Sequence, residues 1–513
     1  MSFDGMGADA LARQSGLPAF DRIAREGSVA RVIPVEPTLT STTHASILTG
    51  APPERTGIVS NRFHLPGTPS TRTTRGLEVD TDVETIVEAA RRQGKRVGAV
   101  SFPSVDGGSP RRTADFGLAW TPPLTSARII ELTRADFHRE WVPPGWSRRP
   151  LRRTSFSPVM RARIDWQATS TLRADVDIVA YDTTNDGVEN YDSLFVEVDS
   201  EEIGLDPRGW FAVSKRSNGL YGSWSKLTRT SPGLDTTIYW GAISRSNAWP
   251  DYFREMLDDT AGFWPGAPES SIAIDIDTFR EQVERFATFY TVAQAMSIRR
   301  MSFDLLLLYQ PQIDEATHAL LGNPAGESTI RASWEAADRA IASFLPLLDP
   351  ARDALLVTGD HGLLQANREL RINRLLEEQG FAPRWRAFTA GNLAHIYRFG
   401  DPDDREAVFE MLAKSGHFER IERKGSGHHH HSGDLIAWAP AHVATSASSE
   451  PPVLIDRQPF GLHGANVAHR ELHTTLIAWG AGTRPGQYAD LPQTRIARFV
   501  STLLGISPPA GAE

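Results

Sequence analysis

Four short apolar runs, at 96–102, 304–309, 354–358 and 474–479, constrain this chain more than any other feature. Each has the length of a buried strand, too few residues for a core helix, and far fewer than a membrane span needs. Amphipathic stretches lie between or beside them: Pro18–Glu26 followed by Gly27, then 278–300 and 327–345 with apolar residues at helical spacing. Strands alternating with helices predict an α/β layer around a mostly parallel sheet. Between about 150 and 250 the pattern changes to alternating segments at 159–166, 175–181, Ser193–Val198, 209–215 and 236–243. Turn clusters at 183–187 and 217–219 separate them, which predicts an inserted β-rich subdomain entered through the proline-bearing linker 143–150. The expected division is 1–140, 271–367 and 459–513 for the core, 141–270 for the β-rich insertion, and 368–458 for a smaller insertion or cap.

Composition narrows the chemistry. With 513 residues, two or three units with sizeable cores are expected. A formal net charge of −9 lacks the global positive field of a nucleic-acid binder, so no nucleic-acid polymer is expected as partner. There is no cysteine, which removes disulfides, thiolate nucleophiles and Cys-ligated metal together. Any metal must therefore rest on imidazole and carboxylate. Only Ser2 and Phe3 precede Asp4 as strand, against five or six residues in an ordinary core strand. The native start is accordingly expected upstream, with any targeting segment; as it stands the chain shows no signal peptide or membrane span and reads as cytoplasmic.

The potential ligands fall where an open α/β sheet collects its ligands, outside the carboxyl ends of strands. Asp4 follows the first strand, Asp314 and His318 lie beyond the run ending at Tyr309, and Asp360 and His361 come directly after the run 354–358. Asp314 and His318 are four apart, so one helical turn puts both on one face. Asp360-His361-Gly362 is a tight pair whose glycine lets the backbone turn under a ligand, and His463 is flanked by Gly461 and Gly464. This oxygen and nitrogen donor set suits zinc, with manganese or iron as competitors. The candidate hydroxyl nucleophile sits in the run 37–50, Pro-Thr-Leu-Thr-Ser-Thr-Thr-His-Ala-Ser-Ile-Leu-Thr-Gly, where Thr38, Thr40, Ser41, Thr42 and Thr43 crowd together. Metal activation is its route to reactivity, because no Gly-x-Ser-x-Gly elbow is present.

Phe3-Asp4-Gly5, the run 37–50, Gly57-Ile-Val-Ser-Asn61, the segment 314–318, Asp360-His361-Gly362 and His463-Gly464 occur in the order seen in nucleotide pyrophosphatase/phosphodiesterases. The chain resembles that family, within the alkaline phosphatase superfamily, over about 1–125 and 275–500. The resemblance implies an alkaline-phosphatase-like three-layer sandwich and two divalent metals, usually zinc. Asp314, His318 and His463 would hold one metal; Asp4, Asp360, His361 and the Thr40 hydroxyl would hold the other. Thr40 would be the nucleophile that forms a phosphothreonine, and Asn61 would donate a hydrogen bond to a phosphoryl oxygen. The substrate implied is a small phosphate ester, a phosphodiester first.

The family's Asn-His after the nucleophile reads Thr43-His44 here, and its Phe-Pro reads Ser41-Thr42, positions that shape a nucleotide or aryl pocket. Phosphomonoester or phosphonate hydrolysis uses the same metals, and Arg111 or Arg112 could meet the extra oxygen of a monoester. A phosphomutase shares the core, and a non-catalytic metal-binding relative is the reading from a different class. Sulfate ester cleavage lacks its Cys/Ser-x-Pro-x-Arg context. Three other features carry bland readings. His428–His431, between Gly-Ser-Gly and Ser-Gly, reads as a flexible surface loop binding metal only adventitiously. His469 and His473 read as structural, and Arg148, Arg149, Arg152 and Arg153 as a solvated charged face.

Overall fold

The computed structural model describes residues 1–139, 154–199, 201–205, 209–270 and 272–513. The linker 143–150 and the arginines at 148, 149, 152 and 153 lie outside the described residues. Two compact units emerge, one of 1–120, 248–253 and 283–513, the other of 121–247 and 254–282.

Among the described residues ten strands form the main sheet: β1 (Ser2–Phe3), β2 (Ser28–Ile33), β3 (Val97–Val100), β4 (Phe116–Ala119), β5 (Asn247–Trp249), β6 (Leu305–Gln310), β7 (Ala354–Gly359), β8 (Thr474–Gly480), β9 (Gly486–Gln487) and β10 (Leu491–Pro492). Their order is β5-β4-β3-β6-β1-β7-β8-β2-β9, with β10 also on β2. The pairs from β4 through β3, β6 and β1 to β7 are parallel. The sheet is mixed because β8 runs antiparallel to both β7 and β2. Double reversal gives β2 the same sense as β7, so the carboxyl ends of β1, β2, β6 and β7 open to one edge.

Both faces of this sheet are covered, which is why its strands read as continuous apolar runs instead of alternating ones. Helices α1 (Pro18–Glu26), α2 (Thr40–Thr49), α3 (Gln312–Leu320) and α4 (Glu327–Phe344) all belong to this unit. On one face Phe3, Val357, Ile477 and Trp479 pack with Phe20 and Ile23 of α1 and with Trp334 and Ile341 of α4. On the other, Val32, Val97, Leu307 and Leu476 pack with Ile47 and Leu48 of α2 and with Ile86 and Ile496. The adjacent residues Leu476 and Ile477 thus serve opposite faces, as the two-residue period of a strand requires. The result is the three-layer α/β arrangement. Inside this unit the segment 368–458 carries a four-stranded antiparallel sheet in the order Trp385–Ala390, Leu393–Arg398, Leu435–Trp438, Arg420–Arg423.

The second unit is antiparallel throughout its described pairings. Two five-stranded sheets share one core built on Trp166, Val176, Val196, Val213, Leu227 and Trp240. The indole of Trp166 in one sheet donates to Ser223 Oγ of the other at 3.0 Å. The turn at 217–219 closes a hairpin whose second strand, Gly219–Arg229, is the longest of the unit; its small and polar residues hid it from a search for apolar runs. Among the described residues no helix is long and apolar enough to cross a membrane.

Ile477 is 2% exposed in the sheet core. Replacing it with alanine is expected to cost about 2–5 kcal/mol, read as a lowered urea midpoint; an unchanged midpoint would contradict the packing described.

Candidate metal centre

The register of the parallel strands builds the site. Ser2 and Phe3 of β1 sit level with Tyr309 and Gln310 of β6 and with Thr358 and Gly359 of β7. The next residue on β1 is Asp4 and on β7 is Asp360, so two carboxyls emerge side by side, while β6 turns into α3 and presents Asp314. The Gly5 amide donates to Asp360 Oδ1 at 3.1 Å. Gly5 itself has φ +72°, and a Cβ there would stand 2.8 Å from Leu363 Cδ1 and 3.0 Å from the Asp314 Cα, so only glycine fits between the carboxyls.

His361 occupies the centre. Its Nε2 lies 3.1 Å from Asp360 Oδ2, 3.5 Å from Asp4 Oδ1 and 3.3 Å from Thr40 Oγ1. Its ring stacks on His463 with centroids 3.7 Å apart. His318 Nε2 is 3.4 Å from Asp314 Oδ2, and its ring meets His463 edge-on at 4.9 Å. Two groups of ligand atoms gather within 4.8 Å, Asp4 with Asp360 and His361, and Asp314 with His361 and His463. His361 therefore belongs to both, and His318 flanks the second.

Outer partners aim the rings. His463 Nδ1 donates to the Thr38 carbonyl at 2.9 Å and His318 Nδ1 to the Gly461 carbonyl at 2.7 Å, which leaves each Nε2 for the centre. Gly461 has to be glycine because a Cβ would meet the Thr317 carbonyl at 2.5 Å. The Thr38 hydroxyl accepts the Gly464 amide at 3.0 Å and so ties the nucleophile segment to the His463 segment.

Thr40 is half-buried at the first turn of α2. The hydroxyl-rich run is a buried helix: from Ser41 to Thr49 every side chain is buried, and Thr43 and Thr49 hydroxyls bond back to the Leu39 and Ala45 carbonyls. Asn61 reaches the same turn, its Oδ1 accepting the Ser41 amide at 2.8 Å. That contact fixes the amide orientation and leaves Nδ2 as a donor.

Sequence reasoning missed three partners. The Tyr309 hydroxyl donates to Asp4 Oδ2 at 2.5 Å, and the Thr43 hydroxyl to Asp360 Oδ2 at 3.3 Å. His44, fully buried, bridges the Thr40 carbonyl at 2.9 Å and Ser2 Oγ at 3.0 Å. The signal for Tyr309 was available, as a polar tip ending an apolar strand at the ligand edge. The histidine run at 428–431 lies in a loop, as expected, but not wholly at the surface: His429 and His431 are buried, their rings partnered by Asp82 Oδ2 at 2.8 Å and the Gly57 carbonyl at 2.8 Å. His429, His430 and His431 also bring ligand atoms within 4.8 Å of one another, with His429 Nε2 already engaged by Asp82. His473 is structural, bonding the Val467 carbonyl at 2.8 Å.

The centre fits divalent metal. Among the described residues no lysine or arginine pairs with Asp4, Asp314 or Asp360. Asp4 Oδ1, Asp314 Oδ1 and His361 Nδ1 are buried without a hydrogen-bond partner. Burying such anions uncompensated costs several kcal/mol each, and divalent cations answer that cost with the right donor chemistry. Without metal, burial pushes the carboxyl of Asp4 up to about 6 and those of Asp360 and Asp314 well above the usual carboxylate range. Burial holds His361 well below the ordinary imidazole value, His463 down to about 3, and lowers His318. Burial thus favours neutral imidazoles and shifts the carboxyls toward their protonated form, so protons compete with metal for the centre. Zinc affinity is expected to fall as pH drops through about 6, with proton release on binding measured by calorimetry in buffers of different ionisation enthalpy. Zinc at 100 times its Kd is expected to add about 2.7 kcal/mol to unfolding; an affinity independent of pH would contradict this charge arrangement.

The sequence profile of the type I phosphodiesterase / nucleotide pyrophosphatase family matches residues 1–179 and 195–466. No curated protein sequence matches the chain. Among solved structures, an inactive threonine-to-alanine form of murine ectonucleotide pyrophosphatase/phosphodiesterase 5, in complex with AMP, gives a TM-score of 0.54 at 14% identity, over 99% of this chain and 94% of that one. The human counterpart gives 0.52 at 13% identity, over 99% and 94%. Phosphonoacetate hydrolase from Sinorhizobium meliloti 1021, in complex with phosphonoacetate, gives 0.54 at 16% identity, over 98% and 94%. The chain belongs to the type I phosphodiesterase/nucleotide pyrophosphatase family and is a phosphoric ester hydrolase of the alkaline phosphatase superfamily.

Proposed function

We propose that this enzyme hydrolyses phosphodiesters by in-line attack of Thr40 on phosphorus, through a phosphothreonine that water then cleaves. Asp314, His318 and His463 would hold one divalent ion, zinc first, and Asp4, Asp360, His361 and the Thr40 hydroxyl the other. When bound, the ions supply positive charge to the phosphoryl oxygens and lower the pKa of a hydroxyl or water. The observation that carries the reading is the Thr40 hydroxyl, 3.3 Å from the imidazole shared by both ligand groups.

The chain's own groups divide the remaining work. In the first step the Thr40 Oγ–P bond forms as the ester P–O bond breaks, and the departing oxygen takes up a proton. In the second, water replaces Thr40 on phosphorus and Thr40 recovers its proton. The first turn of α2 favours an anionic phosphoryl group, because helix N-termini expose amides and the positive end of the dipole. Asn61 donates its amide N–H to a phosphoryl oxygen from a position locked by the Ser41 amide. The neighbours support this chemistry: the inactive murine form carries a threonine-to-alanine change, and both bound ligands contain a tetrahedral phosphorus.

The diester reading follows the family profile, and the two arginines considered for a monoester's extra oxygen are committed to carboxylates. Arg111 is held by Glu88 at 2.8 Å, and Arg112 by Asp106 at 2.9 Å and Asp80 at 2.5 Å.

Thr40→Ala is expected to abolish turnover of bis-p-nitrophenyl phosphate while zinc content and circular dichroism stay unchanged; retained turnover would overturn the mechanism. Asn61→Ala is expected to lower kcat by about 10²–10³ with little change in metal content. Zinc-loaded protein should cleave the diester faster than p-nitrophenyl phosphate and lose that activity to chelator; faster monoester cleavage would move the assignment to phosphatase.

A further inference from the structure

A cleft of about 600 Å³ opens beside the metal centre, and His318, His463 and Asn61 lie in its wall. Its opposite side comes from the strand Trp385–Ala390 and from residues 444–448. Among the described residues no aspartate or glutamate lines it, in a chain of net charge −9. Two arginines do, Arg62 and Arg386.

Both guanidinium groups lack an ion pair or side-chain hydrogen bond among the described residues. Their neighbours do not: Arg75 pairs with Glu78, Arg371 with Glu369, and Arg384 with Asp404. Arg62 also stands directly across a two-stranded ladder from Arg75, a like-charge placement that costs stability and offers nothing to the fold. Most of the remaining lining is hydroxyl-bearing or small, including Thr73, Thr389, Thr445 and Ser446, with Leu462 as its aliphatic member. Apart from the two histidines of the centre, the aromatic ring in the lining is Phe388. It is 4% exposed and packed edge-on against Tyr397 at 5.4 Å, so it offers no open face for stacking a base.

Resting on the phosphoesterase reading above, we propose that this cleft selects phosphodiesters whose non-leaving substituent bears a carboxylate, and disfavours nucleosides. A guanidinium presents a planar fork of donors that matches a carboxylate, and two of them in the lining offer it a seat apart from the reacting phosphorus. Arg62 and Arg386 are specificity-determining here and take no part in the bond changes.

The test uses zinc-loaded full-length protein and p-nitrophenyl esters that share one leaving group. Carboxyethyl p-nitrophenyl phosphate carries the extra anion, propyl p-nitrophenyl phosphate is its neutral counterpart, and thymidine 5′-(p-nitrophenyl phosphate) carries a nucleoside. The carboxyethyl ester is expected to exceed both others in kcat/KM by about tenfold or more, the scale of one charge-assisted contact. Arg62→Ala with Arg386→Ala should bring that ratio close to one while leaving propyl ester turnover unchanged. A ratio near one in the unmodified protein, a nucleoside ester as best substrate, or an equal loss on all three esters in the double variant would overturn the proposal. Turnover of none of the three would instead sink the hydrolase reading itself, and this inference with it.

Discussion

Three carboxyl groups side by side, two buried and one half-buried, with no arginine or lysine paired to them among the described residues, are the constraint on which the rest of this enzyme depends. Mutual repulsion and lost hydration make such a cluster untenable by itself. The fold produces it because three parallel strands end level at one sheet edge, and a single residue or a short turn then carries each carboxyl outward. Removing the crowding by substitution would be easy in packing terms. The molecule instead holds the cluster with the Gly5 amide, the Tyr309 and Thr43 hydroxyls, and neutral imidazoles.

The same logic explains features that look unrelated. A helix with six hydroxyl residues among ten is a poor core element, yet here the Thr42, Thr43 and Thr49 hydroxyls satisfy backbone carbonyls and Thr43 also reaches the Asp360 carboxylate. The antiparallel strand β8 breaks an otherwise parallel order, and through it β2 regains the sense that delivers the nucleophile segment to the ligand edge. Thr38 then binds the His463 segment by three hydrogen bonds, to His463, Gly464 and Ala465, so the metal ligands and the nucleophile segment are tied into one local network.

Much of this was legible in the sequence because it follows short periods. The i, i+4 spacing of Asp314 and His318, the Asp360-His361 pair after an apolar run, and the two-sided burial of that run all needed only local geometry. The strand Ser28–Ile33 was not legible, since Ser28 and Arg31 divide it into apolar pairs that make neither an alternating pattern nor a long apolar run. The hairpin around 217–219 was half seen, as a turn without its second strand. The burial within the histidine run was missed for a different reason: flanking glycine and serine signal a loop, which it is, while the Asp82 and Gly57 partners of its buried rings are hundreds of residues away in the chain. The cleft arginines were invisible for the same cause, because Arg62 and Arg386 meet only in the folded molecule.

The central claim is that Thr40 bonds covalently to phosphorus during turnover. Acid quenching of zinc-loaded enzyme in the steady state with bis-p-nitrophenyl phosphate, followed by peptide mapping, tests it most directly. The account predicts a phosphoryl adduct on the peptide spanning residues 38–50, located at Thr40 and absent from Thr40→Ala. Full turnover with that peptide unmodified at every quench time, or an adduct on a different side chain, would contradict it.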